Sequence, residues 1–249
     1  MSAATKHRDA PLLAVQGLNA WYGAAHILHD IGLEVRRGEV VALMGRNGAG
    51  KSTTLKSIMG LLPSRTGQLQ FMGHDIGVLQ PYQVARLGLG YVPEDRRVFT
   101  ELTVRENLMT GRQAERVWPD GSTGLNWSLD AVLELFPNLA GMQHRQAGTL
   151  SGGEQQMLTV ARTLMGHPFV LLLDEPSEGV APLIIEQMAE MILALKARGA
   201  SVLLSEQNIH FAAWVSDRAY VLEKGQMRHT STMAALQENV QIRQAYLAL

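Results

Sequence analysis

The chain has 249 residues, a formal net charge of −1 at pH 7 and an apolar fraction of 46%. The apolar fraction excludes a disordered chain, because disorder needs low hydrophobicity and high charge. The near-zero net charge argues against a general nucleic-acid binder, because such proteins need clustered Lys and Arg. Because the chain contains no cysteine, disulfides, thiolate metal sites and cysteine nucleophiles are absent.

The first part of the chain predicts a leader followed by antiparallel strands. Residues 1–11 carry charges without a following apolar run of signal-peptide type, so we expect a flexible leader. Residues 12–35 and 67–71 interleave polar and apolar side chains, which is typical of antiparallel strands. No run of about 20 mostly apolar residues is present, and we therefore expect no transmembrane helix.

Continuous apolar runs at residues 40–44, 170–173 and 201–204 favour strands covered on both faces, as in a parallel sheet. A helical pattern over 52–59 follows the first of these runs. Apolar stripes with helical spacing follow later, at 157–165 and 184–195. This alternation predicts an α/β fold with a mostly parallel core sheet and an antiparallel β subdomain.

Residues from about 95 to 165 interrupt this alternation. No good strand run lies between 95 and 150, whereas 103–108 and 129–136 show helical patterns on either side of a loop rich in Gly, Pro and Asp. The sequence therefore predicts a helical subdomain inserted in the core of a single domain that spans residues 12–249.

The strongest motif follows the predicted strand 40–44 and matches the pattern G-x-x-x-x-G-K-[ST]. Its members are Gly45, Arg46, Asn47, Gly48, Ala49, Gly50, Lys51 and Ser52. Such a loop directs backbone N–H groups at phosphate oxygens, and the following helix adds its positive dipole end. We expect Lys51 to neutralise the β- and γ-phosphates and the Ser52 hydroxyl to bind Mg²⁺.

Two further motifs complete the predicted chemistry. The run 170–173 ends in Asp174 and Glu175, where the first carboxylate would hold Mg²⁺ and the second would deprotonate the attacking water. Ser151 is a predicted helix cap, and glycines at the start of that helix leave backbone amides open to an anion. The members of this motif are Ser151, Gly152, Gly153 and Glu154.

The three motifs, in this order and spacing, resemble the ATP-binding subunits of ABC transporters from about residue 12 to 249. The resemblance implies a P-loop NTPase cassette that binds ATP and Mg²⁺, with nucleotide contacts extending to Thr53. It also implies that Tyr22 stacks on adenine. Two cassettes pair head to tail in this family, so that each ATP lies between one phosphate loop and the partner's loop at Ser151.

Several segments are similar to the branched-chain amino-acid importer branch of this family. Residues 90–99 and 102–108 carry that resemblance, together with Glu206, Gln207 and Asn208. Most ABC proteins have Gln at the position of Glu94, where γ-phosphate and Mg²⁺ are sensed, and a switch His at the position of Gln207. The resemblance therefore places Glu94 at the Mg²⁺ site and both residues in the catalytic machinery, although Gln207 cannot carry a proton charge as His can.

The predicted function is ATP hydrolysis that energises import of branched-chain amino acids at the cytoplasmic face of a bacterial inner membrane. The resemblance implies two permease subunits, a periplasmic substrate-binding protein and a second cassette, with a heterodimer favoured and a homodimer left open. Closely similar cassettes serve urea and short-chain amide importers, and Glu94 favours the branched-chain substrates. ABC ATPases of DNA repair or translation are a further alternative, disfavoured by the single phosphate loop and by the absence of a long coiled coil before Ser151.

Overall fold

A computed structural model describes residues 10–247 of the chain. The expected leader, residues 1–11, lies largely outside the described residues, as do the last two residues. No helix in the described part combines the length and apolar character that a membrane crossing requires. The domain boundaries proposed from the sequence stay a prediction.

Six strands form the core sheet. In chain order they are β3 Val40–Met44, β6 Leu89–Val92, β7 Val170–Asp174, β8 Ser201–Glu206, β9 Arg218–Glu223 and β10 Gln226–Thr232. Their order across the sheet is β10-β9-β3-β8-β7-β6, and only β10 runs antiparallel to its neighbour. The prediction of a mostly parallel core sheet is confirmed.

A second sheet of four antiparallel strands packs beside the first. Its strands are β1 Leu13–Tyr22, β2 Ala25–Val35, β4 Arg65–Phe71 and β5 His74–Asp75, in the order β2-β1-β4-β5. Residues 12–35 and 67–71 therefore form antiparallel strands, as their alternating pattern predicts. The first strand pair is joined by the tight turn after Tyr22.

The helices fill the connections between strands. They are α1 Lys51–Ile58, α2 Pro81–Leu87, α3 Val104–Thr110, α4 Leu129–Leu135, α5 Pro137–Ala140, α6 Gly152–Leu164, α7 Pro182–Ala197, α8 Ile209–Val215, α9 Met233–Glu238 and α10 Val240–Ile242. A 3₁₀ turn at Ala147–Thr149 and a π-helical turn at Arg243–Leu247 complete the described structure. Helices α3–α6 occupy the connection between β6 and β7, where the sequence predicts a helical insertion.

The central strands β3, β7 and β8 are buried on both faces, which explains why their sequences do not alternate. Along β3, Val40, Ala42 and Met44 join a cluster with the helices α6, α7 and α8. The intervening Val41 and Leu43 join a second cluster with the antiparallel sheet and α1. Because neither face is solvated, continuous apolar runs are the stable pattern here.

A buried histidine ties the helical insertion to the core sheet. His167 lies between α6 and β7, where its Nδ1 accepts a hydrogen bond from the Trp127 N–H at 2.9 Å. Its Nε2 lies 3.2 Å from the Gln113 carbonyl oxygen, to which it donates. The contact at Nδ1 requires the neutral ring, because protonation of Nδ1 removes the acceptor. Burial lowers the pKa of His167.

We therefore expect the stability of the chain to fall in mild acid. The contribution of the neutral His167 ring is complete above about pH 6.5 and is lost as the pH falls through the lowered folded-state pKa. Melting temperatures measured at about pH 7.5 and about pH 5.5 should differ less in His167→Asn than in the wild type. Asn tolerates the positive φ of 52° at this position, and an equal pH response in both chains would contradict the assignment.

Candidate functional site

The phosphate loop joins β3 to α1 at the carboxyl edge of the core sheet. Gly50 immediately precedes the helix with φ 109°, and a Cβ at this residue would lie 2.7 Å from the side chain of Leu28. The amide groups of Asn47, Gly48 and Gly50 have no acceptor among the described residues. A loop with free amides at a helix N-terminus fits a phosphate group, as the motif predicts.

Lys51 is buried at the start of α1, with its ammonium group inside the loop. Its Nζ donates to the carbonyl oxygens of Gly45 at 2.7 Å and Arg46 at 3.2 Å. It also forms an ion pair with Glu175 Oε1 at 3.0 Å, and both side chains are less than a tenth exposed. The predicted phosphate-binding lysine and the predicted general base are therefore in direct contact.

Three hydroxyl groups hold the carboxylate of Asp174. Its Oδ1 accepts from Ser52 Oγ at 2.8 Å and from Ser205 Oγ at 2.7 Å, and its Oδ2 accepts from the Tyr91 hydroxyl at 3.0 Å. Burial and the charge of Asp174 hold the pKa of Tyr91 above its usual range, so the phenol keeps its proton. The adjacent oxygens of Asp174 and Ser52 are the hard ligands that Mg²⁺ prefers, so these residues fit the ion.

Glu175 occupies a strained backbone position at the end of β7. Its φ is 47°, which costs a non-glycine residue roughly 1–3 kcal/mol unless the surroundings impose it. The Glu175 N–H donates to the backbone and side-chain oxygens of Ser205, each at 3.1 Å. A hydrogen bond with the Glu175 carboxylate, together with burial and nearby negative charge, raises the pKa of Glu178 to about 7.

Glu206, at the end of β8, is a buried carboxylate that joins two loops of the site. Its Oε1 accepts from the Ser177 N–H at 3.1 Å, and its Oε2 accepts from the N–H groups of Gln207 at 3.1 Å and Asn208 at 3.0 Å. Burial raises the pKa of this carboxyl against the opposing effect of these hydrogen bonds. The segment after Glu175 and the loop of Gln207 are thus fixed to each other.

Replacement of Glu206 by Gln is expected to lower the free energy of unfolding by about 1–3 kcal/mol, the cost of leaving a buried donor unsatisfied. An amide has only one oxygen, so its NH₂ would face at least one of the three N–H donors. Urea unfolding of Glu206→Gln beside the exposed control Glu186→Gln measures this loss. Equal stability of the two variants would show that the three hydrogen bonds contribute little.

The remaining predicted site residues line neighbouring cavities or lie at the rim. Glu94 lines a cavity of about 330 Å³ together with Asp174, and Gln207 lines one of about 410 Å³ together with Glu175. Tyr22 ends β1 with 49% of its surface exposed, which leaves its ring free to stack. Thr53 is half-buried in the first turn of α1.

The loop at Ser151 lies apart from the phosphate loop. Ser151 caps α6 by accepting from the Glu154 N–H at 3.3 Å, and the Glu154 carboxylate accepts from the Ser151 N–H at 2.7 Å. The guanidinium of Arg96 covers Gly152 and donates to the Gly179 carbonyl at 3.0 Å. Within residues 10–247, no hydrogen bond or ion pair joins this loop to the phosphate loop.

Sequence reasoning missed three contacts that organise this site. Ser205 follows the apolar run 201–204 and Glu206 carries a family resemblance, but nothing in the sequence shows that β8 lies between β3 and β7. Tyr91 carries a family resemblance, but its bond to Asp174 depends on the pairing of β6 with β7. The order of the strands in the sheet would have revealed these three contacts, but a single sequence does not show that order.

A broad groove of about 610 Å³ lies on the other side of β6, between the core sheet and the helical insertion. Leu61, Tyr82 and Phe99 line it and are each about half exposed. Arg86, Arg97 and Arg162 add positive charge to its walls. The groove is therefore apolar and cationic, in contrast to the acidic cluster around Glu175.

Known proteins are similar to this chain in sequence and in fold. Residues 28–178 match the ABC transporter family. The chain is 44% identical to the "High-affinity branched-chain amino acid transport ATP-binding protein BraG" of Pseudomonas aeruginosa, over 95% of this chain and 99% of that protein. It is 38% identical to the "Probable branched-chain amino acid transport ATP-binding protein LivF" of Archaeoglobus fulgidus, over 92% and 95% of the two chains.

A solved structure described as the ATP binding subunit of an ABC transporter superimposes with a TM-score of 0.77 at 30% identity. The match covers 95% of this chain and 96% of that one. The predicted fold class is confirmed by this likeness. The chain belongs to the ABC transporter family, as one of its ATP-binding subunits with ATPase activity.

Proposed function

We propose that this chain hydrolyses ATP to energise import of branched-chain amino acids through two permease subunits. The observation that carries the proposal is the contact of Lys51, Ser52, Asp174 and Glu175 around one loop. Two relatives, 44% and 38% identical to this chain, carry that transport role in their names. The substrate is assigned from the names of these relatives.

The site residues divide the work of phosphoryl transfer. The free amides of the loop bind the β- and γ-phosphates, and Lys51 exchanges its contacts with carbonyl oxygens for phosphate oxygens. This exchange separates Lys51 from Glu175, whose carboxylate then orients the attacking water and accepts its proton. Asp174 and Ser52 would hold Mg²⁺, which when bound neutralises charge on the phosphates.

A second cassette would bring its Ser151 loop to the ATP that is bound at the phosphate loop of this chain. The loop at Ser151 has free helix N-terminal amides but lies apart from the phosphate loop of the same chain. We therefore infer a head-to-tail pair in which each Ser151 loop contacts ATP bound to the partner. We expect the partner to be a related but different cassette. The alternative is a pair of identical chains. The mass and the subunit composition of the purified complex distinguish the two.

The groove beside β6 is the proposed contact surface for the permease. Its exposed Leu61, Tyr82 and Phe99 suit an apolar segment, and Arg97 and Arg162 suit carboxylates on the same segment. Docking here would hold the chain at the cytoplasmic face of the inner membrane. A periplasmic binding protein on the opposite face would deliver the amino acid.

Uptake by cells that lack this chain tests the proposal. Restoring the wild-type chain should restore uptake of labelled leucine, isoleucine and valine, whereas Lys51→Met should not when the two chains are compared at equal amounts of folded protein. Lys196→Met removes a positive charge in another part of the chain, and as the matched control it should behave like the wild type. Restoration of urea uptake with no effect on leucine would refute the substrate assignment and keep the ATPase role.

A further inference from the structure

One tyrosine contacts both the groove and the carboxylate that fits Mg²⁺. The ring of Tyr91 lines the 610 Å³ groove, and its hydroxyl donates to Asp174 Oδ2 at 3.0 Å. We propose that Tyr91 is a positioning residue that links occupancy of the groove to the position of the Asp174 carboxylate. The inference rests on the proposed function, in which a permease segment fills the groove.

The sheet places Tyr91 where it can reach both surfaces. β6 is the edge strand and pairs only with β7, where Tyr91 lies opposite Leu172. Its phenol extends along the sheet toward the end of β7, while the outer side of β6 faces the groove. The groove shares Leu61, Tyr91, Pro93 and Arg97 with the 330 Å³ cavity that contains Asp174. The phenol is therefore part of the wall between the two spaces.

The Tyr91 hydroxyl and the two serine hydroxyls bind different oxygens of Asp174, so the tyrosine contact can change on its own. Ser52 and Ser205 both donate to Oδ1, and these residues belong to the phosphate loop and to β8. Tyr91 is the hydroxyl donor at Oδ2. A segment that moves the ring would therefore change the hold on one oxygen of Asp174 while the two serine contacts stay in place.

A chain without cysteine allows the groove to be filled at one chosen point. Thr110→Cys introduces a single thiol at an exposed residue of the groove, where a bulky maleimide can be attached. Mn²⁺ binding to the full chain, with a non-hydrolysable ATP analogue present, is then measured by electron paramagnetic resonance. Val78→Cys, 80% exposed and outside the groove, controls for the label itself.

We expect the label at position 110 to change the Mn²⁺ dissociation constant by about three- to tenfold, the effect of one hydrogen bond on a charged group's position. In the Tyr91→Phe background the same label should leave the constant unchanged, because the ring remains and the bond to Asp174 is lost. Tyr82→Phe is the matched control from the same groove. Its hydroxyl has no hydrogen-bond partner among the described residues, so the label effect should persist.

Equal label effects with and without the Tyr91 hydroxyl would overturn the inference, as would no label effect in either background. Melting temperatures of Tyr91→Phe and Tyr82→Phe, measured beside the binding data, establish that both variants are folded. The assay contains no permease and no amino acid. The label effect could therefore depend on the Tyr91 hydroxyl even if the chain restores no leucine uptake. That combination would support the link between the groove and Asp174 and would contradict only the proposed function.

Discussion

Replacement of Glu175 by Gln is expected to reduce ATP turnover by about 10²–10⁴-fold, the usual contribution of a positioned general base. The amide keeps the size of the side chain but cannot accept the proton of the attacking water. Binding of ATP should stay intact, because the phosphate contacts come from the loop amides and Lys51. Steady-state hydrolysis and equilibrium ATP binding, measured on the same preparation of the assembled complex, separate the two effects.

Glu186→Gln provides the matched control for this measurement. Glu186 is an exposed residue of α7, and its replacement by Gln is the same chemical change made away from the phosphate loop. Its turnover should equal that of the wild type. A Glu175→Gln complex that hydrolyses ATP at the wild-type rate would show that another group activates the water, and Glu178, whose carboxyl lies beside Glu175, would be the next residue to replace.

Replacement of Lys51 by Met is expected to weaken ATP binding by about 10- to 150-fold, the effect of losing a charge-assisted hydrogen bond worth roughly 1.5–3 kcal/mol. The same change leaves Glu175 buried without its ion-pair partner. Removing one member of a buried pair typically costs about 3–5 kcal/mol of stability. Nucleotide titration measures the first effect, and urea unfolding measures the second.

The double variant Lys51→Met with Glu175→Gln distinguishes these two effects. Because the unpaired charge is gone, the double variant should unfold at a higher urea concentration than Lys51→Met alone, while ATP binding remains weak. Lys196 is a half-buried lysine that pairs with Asp217 in another part of the chain, and Lys196→Met is the control for losing a positive charge. Full ATP affinity in Lys51→Met would contradict the role assigned to the loop lysine.

The sequence allowed the core of this fold and the chemistry of its main loop to be predicted because both depend on local pattern. The uninterrupted apolar run of β3 reflects burial on both faces, and the phosphate loop requires glycine at a residue such as Gly50, whose φ is positive. Asp174 and Glu175 could be placed because a strand end in such a fold has a known role. These features are encoded within a few neighbouring residues.

The contacts between strand ends could not be predicted, because they depend on pairing across the sheet. Ser205 approaches Asp174 only because β8 lies between β3 and β7, and Tyr91 does so only because β6 is the neighbour of β7. The strands β6, β9 and β10 were not identified as such from the pattern alone. Glu206 illustrates the same limit, since a buried carboxylate is invisible until its three N–H donors are known.

The most direct test of the account is uptake of labelled leucine by the complete transporter reconstituted in vesicles. ATP is supplied on the side of the membrane that carries this chain, and the ligand-loaded binding protein is supplied on the other side. We predict that the wild-type complex accumulates leucine only with ATP and that Glu175→Gln retains ATP binding but abolishes accumulation. Accumulation at the wild-type rate by Glu175→Gln, or without ATP, would contradict the claim that hydrolysis at this site energises the import.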